Sequence, residues 1–563
     1  MSLNCQYDVL RYPFYLRDLT RRITLETVLP LPESAPRIQG VVGGDLLAEP
    51  PRFVVGDEQI TVSGRVHPHL VYIGKTDEAE LKRSLPADDL DQDTAEADQD
   101  TQRQPREYGV GWREDDGPIY EESVGFPGLR PEMMVDVDLE SASCAFEKDG
   151  EDRVIVRSQI ELRIHATSMQ TAGVLGGVSC VPTDQVQSAT EQVRVEELVG
   201  VRRERMNVQA PLLLPNLKPG LSRVIRQGIR PSGVTWEVNR NKILVKGFLE
   251  VSLIYVGCDD DGQATEVFMN EWSRSAGNGL SFETAIDFDG AEEGMAVVPR
   301  VMVSRAELER ASQRELRANV KLEVEARVSR IVTQEMVVEV NSPTNEVLDS
   351  QKYLLEVEEH SGESSGEIDL DLMVNLPFGL PGMDRLLGWR GTPGALTLEA
   401  GDGKAMLEGM LNLQLFYIAE ASDETRLMMA EWGFASGNEL PVAGMIDFAG
   451  ITPGALLHSF VNLDNLNLEL TSERTLRLTG VLRTRVFART PRAVMVLRDC
   501  ALVEPVDPAT RPSMLFYVIQ PGDTLWKVAR RYQTTVDALG RCNQIVNPES
   551  LDTGQKLLIP KGV

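Results

Sequence analysis

The sequence predicts a mainly β protein in which three repeated, antiparallel β-rich domains precede a small βααβ domain. Three observations support this fold class. Apolar and polar residues alternate along many segments, one residue pattern recurs three times, and the C-terminal stretch carries turns and helix caps of its own. Because alternation with a period of two buries one face of a strand and exposes the other, it is typical of antiparallel sheets with one buried face.

The first predicted domain spans residues 24–170 and carries an insertion. Its Leu31-Pro32 and Tyr72 hold a spacing that returns in the second domain. Residues 76–117 are rich in Asp, Glu, Gln and Thr and poor in aliphatic clusters. Such a segment buries too little apolar surface to offset the entropy lost on ordering, so we predict a disordered acidic insertion there.

The second and third predicted domains, residues 190–340 and 352–495, are copies of one pattern. Leu244–Val256 reads LVKGFLEVSLIYV, and Met406–Ile418 reads MLEGMLNLQLFYI. A glycine and a tyrosine stand at the same places in both segments, and further matches at a nearly constant offset extend over most of each domain. Repetition on this scale indicates a duplicated structural unit.

Turns and tryptophans complete the repeated pattern. Asp149-Gly150 and Asp261-Gly262 each separate two alternating segments, so both are predicted hairpin turns. Trp272 and Trp432 occupy the same place in two copies, which favours a role as core anchors. Trp112 falls inside the predicted insertion, and we therefore assign the first domain no counterpart to these tryptophans.

A linker, residues 496–515, leads to the C-terminal domain, residues 516–561. Tyr517 opens the segment YVIQPGDTLWKVARRY, in which a short strand is followed by a turn at Pro521-Gly522. Asp523 is the predicted N-cap of the first helix, since its carboxylate can accept hydrogen bonds from the free N–H groups of the first turn. Apolar residues then recur at helical spacing.

Thr535 is the predicted N-cap of a second helix in this domain. Val536, Leu539 and Cys542 share one helix face, so we expect all three side chains to point into the core. Lys556–Ile559 is the predicted closing strand.

The composition disfavours several classes of function. The 563 residues carry a net charge of −29, which repels nucleic acid and anionic membranes. The N-terminus lacks the basic start and apolar core of a signal peptide, and no apolar run is long enough to span a membrane. Six scattered cysteines are typical of a reduced cytosolic chain. We therefore predict a cytoplasmic protein with no nucleic-acid partner and no transmembrane segment.

No sequence motif indicates catalysis. A phosphate-binding loop and the metalloprotease motif H-E-x-x-H are both absent. His67 and His69 alternate along one strand, but two histidines without a nearby cysteine favour ordinary roles over a metal site. The prediction is a protein that is not an enzyme and has no catalytic residue, no metal site and no cofactor.

The C-terminal domain resembles a LysM domain over its whole length. It matches the family patterns Y-x-V/I-x-x-G-D-T-L-W-x-I-A and N-x-x-x-N-P-x-x-L-x-x-G-Q-x-L-x-I-P nearly letter for letter. LysM domains bind ligands, usually cell-wall glycans, in a shallow groove between the first helix and the loop before the second strand. The resemblance implies that the groove residues are Gly522, Asp523, Thr524, Leu525, Asn547, Pro548 and Leu551. A core position is the open alternative for Leu525, Trp526 and Leu551.

The three repeats resemble the SPOCS domain of endospore-forming bacteria. The residues that carry this resemblance are the G-x-x-x-V-x-L-x-Y strand at Gly247–Tyr255 and the segment FPGLRPEMMVDVDLESASCAFEKDG at Phe126–Gly150. SPOCS-like repeats followed by one LysM domain are the architecture of a family of spore-coat morphogenetic proteins.

This resemblance implies a non-catalytic assembly protein in the mother-cell cytoplasm. It implies docking through the LysM domain onto a coat scaffold ATPase of the SpoIVA type, and recruitment to the forespore surface and spore coat. The open alternative is a protein that binds peptidoglycan or GlcNAc oligomers, or an accessory of a cell-wall or cortex hydrolase.

Overall fold

The computed structural model describes most of the chain. The described residues are 3–16, 18–75, 106–112, 116–180, 186–259, 261–274, 276–342, 345–348, 352–420, 425–433, 436–505, 515–545, 547 and 551–560. Within them the strands pair antiparallel, and the α-helices lie in the C-terminal domain. The predicted mainly β fold is therefore confirmed.

The first repeat is built around two long strands. Its described strands are β1 (Leu3–Tyr15), β2 (Leu19–Pro30), β3 (Ile38–Ala48), β4 (Arg52–Val55), β5 (Gln59–Gly74), β6 (Glu107–Gly111), β7 (Ile119–Gly125), β8 (Met134–Lys148) and β9 (Arg153–Cys180). Strands β1, β2 and β8 pair with β9, and strands β3, β4, β6 and β7 pair with β5.

The second and third repeats share one strand order. The second contains β10 (Gln187–Leu213), β11 (Gly220–Asn239), β12 (Lys242–Cys258), β13 (Ala264–Trp272), β14 (Leu280–Asp287), β15 (Ala296–Arg310) and β16 (Glu315–Asn341). After β17 (Asn345–Leu348), the third contains β18 (Lys352–Asn375), β19 (Met383–Ala400), β20 (Lys404–Glu420), β21 (Thr425–Trp432), β22 (Pro441–Asp447), β23 (Leu456–Ser472) and β24 (Thr475–Leu497). Strand β25 (Ala501–Pro505), within the segment assigned as a linker, pairs with β17.

Each repeat is a pair of sheets around its own core. In the second repeat β10, β16 and β15 form one sheet, and β12 holds β11, β13 and β14 in the other. Alternate residues of β12 are buried in the core, as the period-two pattern predicts: Ile243, Val245, Leu249 and Val251. Gly247 holds the remaining buried position of this series. The Phe282 ring fills the space beside it, so an added Cβ would lie 2.6 Å from the Phe282 Cζ.

One buried tyrosine fixes the same loop in every repeat. Tyr72, Tyr255 and Tyr417 are fully buried, and each hydroxyl donates to the carbonyl of a proline 36 residues earlier. The acceptors, at 2.9, 3.3 and 3.0 Å respectively, are the carbonyl oxygens of Pro36, Pro219 and Pro381. The recurrence of one hydrogen bond at one repeat position indicates that the three copies share a fold.

The prediction that the first repeat lacks a counterpart to Trp272 is wrong. Trp112 is buried, and its indole Nε1 donates to the carbonyl of Pro30 at 2.9 Å. Trp272 makes the equivalent bond to the carbonyl of Leu213 at 3.1 Å. The match is not evident from the sequence because Trp112 directly follows strand β6 inside the predicted insertion. The acidic composition of that insertion predicts disorder rather than a strand.

The predicted acidic insertion, residues 76–117, is described only in part. Residues 76–105 and 113–115 lie outside the described residues. Glu107 of β6 is buried, and its backbone carbonyl accepts a hydrogen bond from the Arg223 Nε of the second repeat at 2.9 Å. The end of the segment predicted as disordered therefore forms an ordered contact between two repeats.

The three repeats surround a common axis. Residues at one repeat position of β5, β12 and β20 meet in a single apolar cluster: Val71, Ile254 and Phe416. Residues at one repeat position of the long strands β9, β16 and β24 meet in another: Leu175, Val337 and Leu497. Because equivalent residues of all three copies converge twice, the repeats form a ring with approximate threefold symmetry, called the domain ring below.

A chamber of about 1980 Å³ lies inside the domain ring and is lined by all three repeats. Several of its charged side chains are paired, as Arg163 is with Glu140 at 2.9 Å. Asp45 lines the chamber and pairs across a repeat boundary with the buried Arg226 at 2.7 Å. Ion pairs of this kind neutralise part of the charge along the chamber wall.

His458, on β23, couples the domain ring to pH. Its imidazole meets that of His165 from the first repeat edge-on, with ring centroids 5.8 Å apart. Burial, assisted by the neighbouring His165 and Arg489, lowers the pKa of His458 to about 3. The unfolded chain takes up the proton at the ordinary pKa of 6.5, so this contribution to stability is complete above pH 6.5 and is lost as the pH falls towards 3.

We expect acidification from pH 7 to pH 5 to cost the wild type roughly 1 kcal/mol more of unfolding free energy than the His458→Gln variant, because glutamine has no proton to take up. This value allows for screening of His458 by solvent in the adjoining chamber. Urea unfolding at both pH values measures the difference. Equal losses of unfolding free energy in the wild type and in His458→Gln would show that His458 does not cause this pH dependence.

Candidate binding site

The C-terminal domain has the predicted βααβ order. Strand β26 (Leu515–Val518) pairs antiparallel with β27 (Lys556–Ile559), and helices α1 (Leu525–Arg531) and α2 (Val536–Asn543) lie between them in sequence. The elements enclose a separate apolar core made of Ile519, Leu525, Val528, Ala529, Leu539, Leu557 and Ile559. The domain therefore holds its shape through its own packing.

Asp523 holds the turn before α1. Its Oδ2 accepts hydrogen bonds from the Tyr517 hydroxyl at 2.6 Å and the Gln520 backbone N–H at 2.7 Å. The Tyr517 bond holds the pKa of Asp523 below its ordinary value. The prediction that Asp523 is the N-cap is wrong, because Thr524 takes that position and its hydroxyl accepts from the Lys527 N–H at 3.2 Å. The carboxylate is turned back towards the strand instead.

Helix α2 has the predicted N-cap, but one of its inward-facing residues differs from the prediction. Thr535 is the N-cap, and its hydroxyl accepts from the Ala538 N–H at 3.0 Å. Cys542 is exposed, so its predicted core position is wrong. Asn543 points inward instead, and its side-chain amide bonds a backbone N–H and a backbone C=O of β27 at 2.6 and 2.8 Å. The need to pair this strand outweighs the apolar character of Cys542.

The residues implied as a groove differ in exposure. Four of them are at least partly exposed: Gly522, Asp523, Thr524 and Asn547. Leu525 is buried and Leu551 is half-buried against the same core, so both occupy the core position that the sequence left open. Pro548 lies outside the described residues. Four residues of the implied groove therefore lie at the surface, and the two leucines belong to the core of the domain.

Residues outside the implied groove attach this domain to the second repeat. The Trp526 Nε1 and the Arg530 guanidinium both bond to the carboxylate of Glu339 on β16, the latter at 3.0 Å. The Asn341 side chain donates to the carbonyl of Thr534 at 2.8 Å. Trp526 thus lies at a contact between domains. Sequence reasoning missed this role because 187 residues separate the tryptophan from its partner.

The described part of the chain offers no group of three or more His, Cys, Asp or Glu side chains placed to hold a metal ion. His67 forms a hydrogen bond through Nε2 to Glu49 at 2.9 Å. Among the described helices, none is long and apolar enough to cross a membrane.

The fold and this site define a class of protein, a repeated β scaffold that carries a small binding domain. A family profile of the LysM domain matches residues 517–560, and one described as the SPOCS domain of SipL matches residues 221–310. The SPOCS match covers strands β11 to β15 of the second repeat. The chain therefore contains a SPOCS domain and a LysM domain, which confirms both resemblances.

Among curated proteins, the chain is similar to the cortical fragment-lytic enzyme of Bacillus subtilis (strain 168), with 45% identity over 47 residues. The match covers 8% of this chain and 11% of that enzyme, so the chain spans about a tenth of the length of this relative. The matched stretch has the size of a LysM domain. No solved structure matches the chain.

These domains define the broad role of the protein. SPOCS and LysM domains are non-catalytic binding domains. Their presence in one chain supports a role in sporulation and the spore coat.

Proposed function

We propose that the protein is a non-catalytic spore-coat morphogenetic protein that docks through its LysM domain onto a coat scaffold ATPase of the SpoIVA type. The way the LysM domain is held carries this proposal. Trp526, Arg530 and Thr534 attach it to the second repeat, while Gly522 and Thr524 stay exposed. The domain ring leaves the groove available to a large partner.

The charge distribution also supports protein docking. Residues 517–563 include six Lys or Arg and four Asp or Glu, whereas the whole chain carries a net charge of −29. A slightly basic domain on an acidic body favours an acidic partner surface and orients the encounter through the LysM domain. Docking takes place in the mother-cell cytoplasm, at the forespore surface where the coat assembles.

A second candidate function is binding of peptidoglycan or GlcNAc oligomers, including as an accessory of a cell-wall or cortex hydrolase. The observation that favours it is the similarity of the LysM stretch to part of a cortical fragment-lytic enzyme. Both functions use the same groove, so the two ligands have to be compared directly.

We expect Thr524→Asp to weaken capture of the SpoIVA-type scaffold by roughly tenfold. Aspartate keeps a side-chain oxygen that can cap α1, but it places a negative charge in the groove facing an acidic partner. A pull-down titration with the full-length protein measures the change. Thr24→Asp, on an exposed position of β2, is the matched control and should bind like the wild type.

A parallel sedimentation with insoluble peptidoglycan separates the two functions. Capture of the scaffold that Thr524→Asp reduces, together with no retention on peptidoglycan, supports docking. Retention on peptidoglycan without capture of the scaffold would overturn the proposal and favour the glycan-binding alternative.

A further inference from the structure

We propose that Cys5 and Cys500 form a disulfide bond that closes the domain ring covalently. The two Sγ atoms lie 3.9 Å apart, although 495 residues separate them in sequence. Both residues carry thiols in the reduced chain. A disulfide has an S–S distance of about 2.05 Å, so the two sulfurs must approach by roughly 2 Å.

A disulfide between Cys5 and Cys500 would connect two repeats that are not consecutive in the chain. The backbone passes from the first repeat to the second after β9, and from the second to the third after β16. The first and third repeats are the two ends of this series, so no short segment of chain connects them. Cys5 lies on β1 and Cys500 follows β24, which places the sulfurs at the contact between these two repeats. A disulfide here would link the first and third repeats covalently, at a boundary that no short segment of chain crosses.

The repeat positions that correspond to Cys500 carry valine at the other two boundaries. Val178 and Val340 occupy the repeat position of Cys500 in the first and second copies, and all three residues belong to one apolar cluster. Valine fills this position equally well as a core residue, so packing alone does not require sulfur there. The Cys5–Cys500 pair lies between the first and third repeats, which the backbone does not join directly.

The surroundings assign a role to each thiol. Cys500 is 4% exposed, with Leu497 in the same cluster, whereas Cys5 is half-buried and reachable from solvent. The Cys5 Sγ also donates to the carbonyl of Cys500 at 3.8 Å, so the side chain is already directed at its partner. The accessible thiol reacts first with an external oxidant, and the buried thiol completes the bond.

The oxidant is a low-molecular-weight disulfide. The Cys5 thiolate attacks one of its sulfurs, forms a mixed disulfide and releases one small thiolate. Cys500 then loses its proton and attacks the Cys5 sulfur, which forms the Cys5–Cys500 bond and releases the second thiolate. The protein loses two electrons and two protons, and the oxidant gains both as two thiols. A reducing cytoplasm keeps the pair as thiols, so the bond forms when the protein meets an oxidising environment.

Treatment of the folded, full-length protein with oxidised glutathione tests this proposal. We expect peptide mass spectrometry to find Cys5 linked to Cys500. The product should also migrate faster on a non-reducing denaturing gel, because the 495-residue separation becomes a closed loop. A reductant should reverse both changes. Cys5→Ser and Cys500→Ser should each abolish them, and Cys542→Ser, which removes an exposed thiol, is the matched control that should keep them.

Thermal unfolding provides an independent measurement. The Tm of the oxidised wild type should exceed that of the reduced protein by about 5 °C, since the bond restricts the unfolded chain. Oxidation should leave the Tm of Cys500→Ser unchanged. The proposal would be overturned if no Cys5–Cys500 peptide forms under conditions that convert Cys542 fully to its glutathione adduct. A link from Cys5 to Cys180 in place of Cys500 would overturn it as well.

Discussion

Replacing Asp45 by alanine should destabilise the domain ring by about 3–5 kcal/mol. Asp45 of the first repeat pairs at 2.7 Å with Arg226 of the second, whose guanidinium lies 4.7 Å from the ring centroid of Phe416 in the third. Arg226 is only 4% exposed. Alanine would leave its buried positive charge without the carboxylate that balances it.

The carboxylate of Asp45 is ionised in the folded protein. Burial opposes ionisation, but the charges of Arg226, His69 and Arg390 outweigh it and hold the pKa of Asp45 below its ordinary value. The wild-type pair is therefore an ion pair at neutral pH, and its loss is an electrostatic as well as a packing change.

Urea unfolding combined with hydrogen exchange at β3 and β11 measures the loss in Asp45→Ala. The double variant Asp45→Ala with Arg226→Met removes both charges, and it should recover part of the lost stability. A single variant as stable as the wild type would show that the pair does not hold the repeats together.

Truncation of Tyr255 to alanine should cost about 3–5 kcal/mol, because the side chain is fully buried and its removal leaves a cavity. Tyr255→Phe keeps the aromatic ring and removes only the hydroxyl bond to the carbonyl of Pro219, at a cost of about 1 kcal/mol. The same ranking should hold at Tyr72 and Tyr417, since each makes the equivalent bond.

Hydrogen exchange resolved by peptide shows which repeat responds. Each alanine variant should lose amide protection mainly in its own repeat, because the three cores are separate clusters. If the phenylalanine variant is destabilised as strongly as the alanine variant, the hydroxyl bond rather than the packed ring controls the fold of the repeat. Uniform loss of protection over all three repeats would instead indicate one cooperative unit.

The strands were predictable because their signal is local. Alternation along β12 depends only on which face of the strand is buried, and that face carries Ile243 and Val245. The turns at Gly150 and Gly262 were predictable for a similar reason, since both glycines adopt the positive φ angles that such turns require. Strand β6 was missed because the acidic residues around it resemble a disordered segment.

The candidate site was predictable only in outline. The residue order of the C-terminal domain identified two helices, two strands and a turn, and the structure has all of them. It did not distinguish Asp523 from Thr524 as the N-cap, because both side chains can accept the same hydrogen bonds. The deciding contact comes from Tyr517, which lies on the neighbouring strand.

By itself the sequence determined the β repeats, the LysM domain and hence the class of protein. These properties depend on residue patterns within short stretches, where the spacing of apolar side chains and turn residues limits the backbone. Only the tertiary structure decided that the repeats close into a ring, that Glu339 holds the LysM domain, and that Cys5 meets Cys500. Such contacts join residues far apart in the chain, and a sequence pattern reports whether a side chain is buried without identifying the residue that buries it.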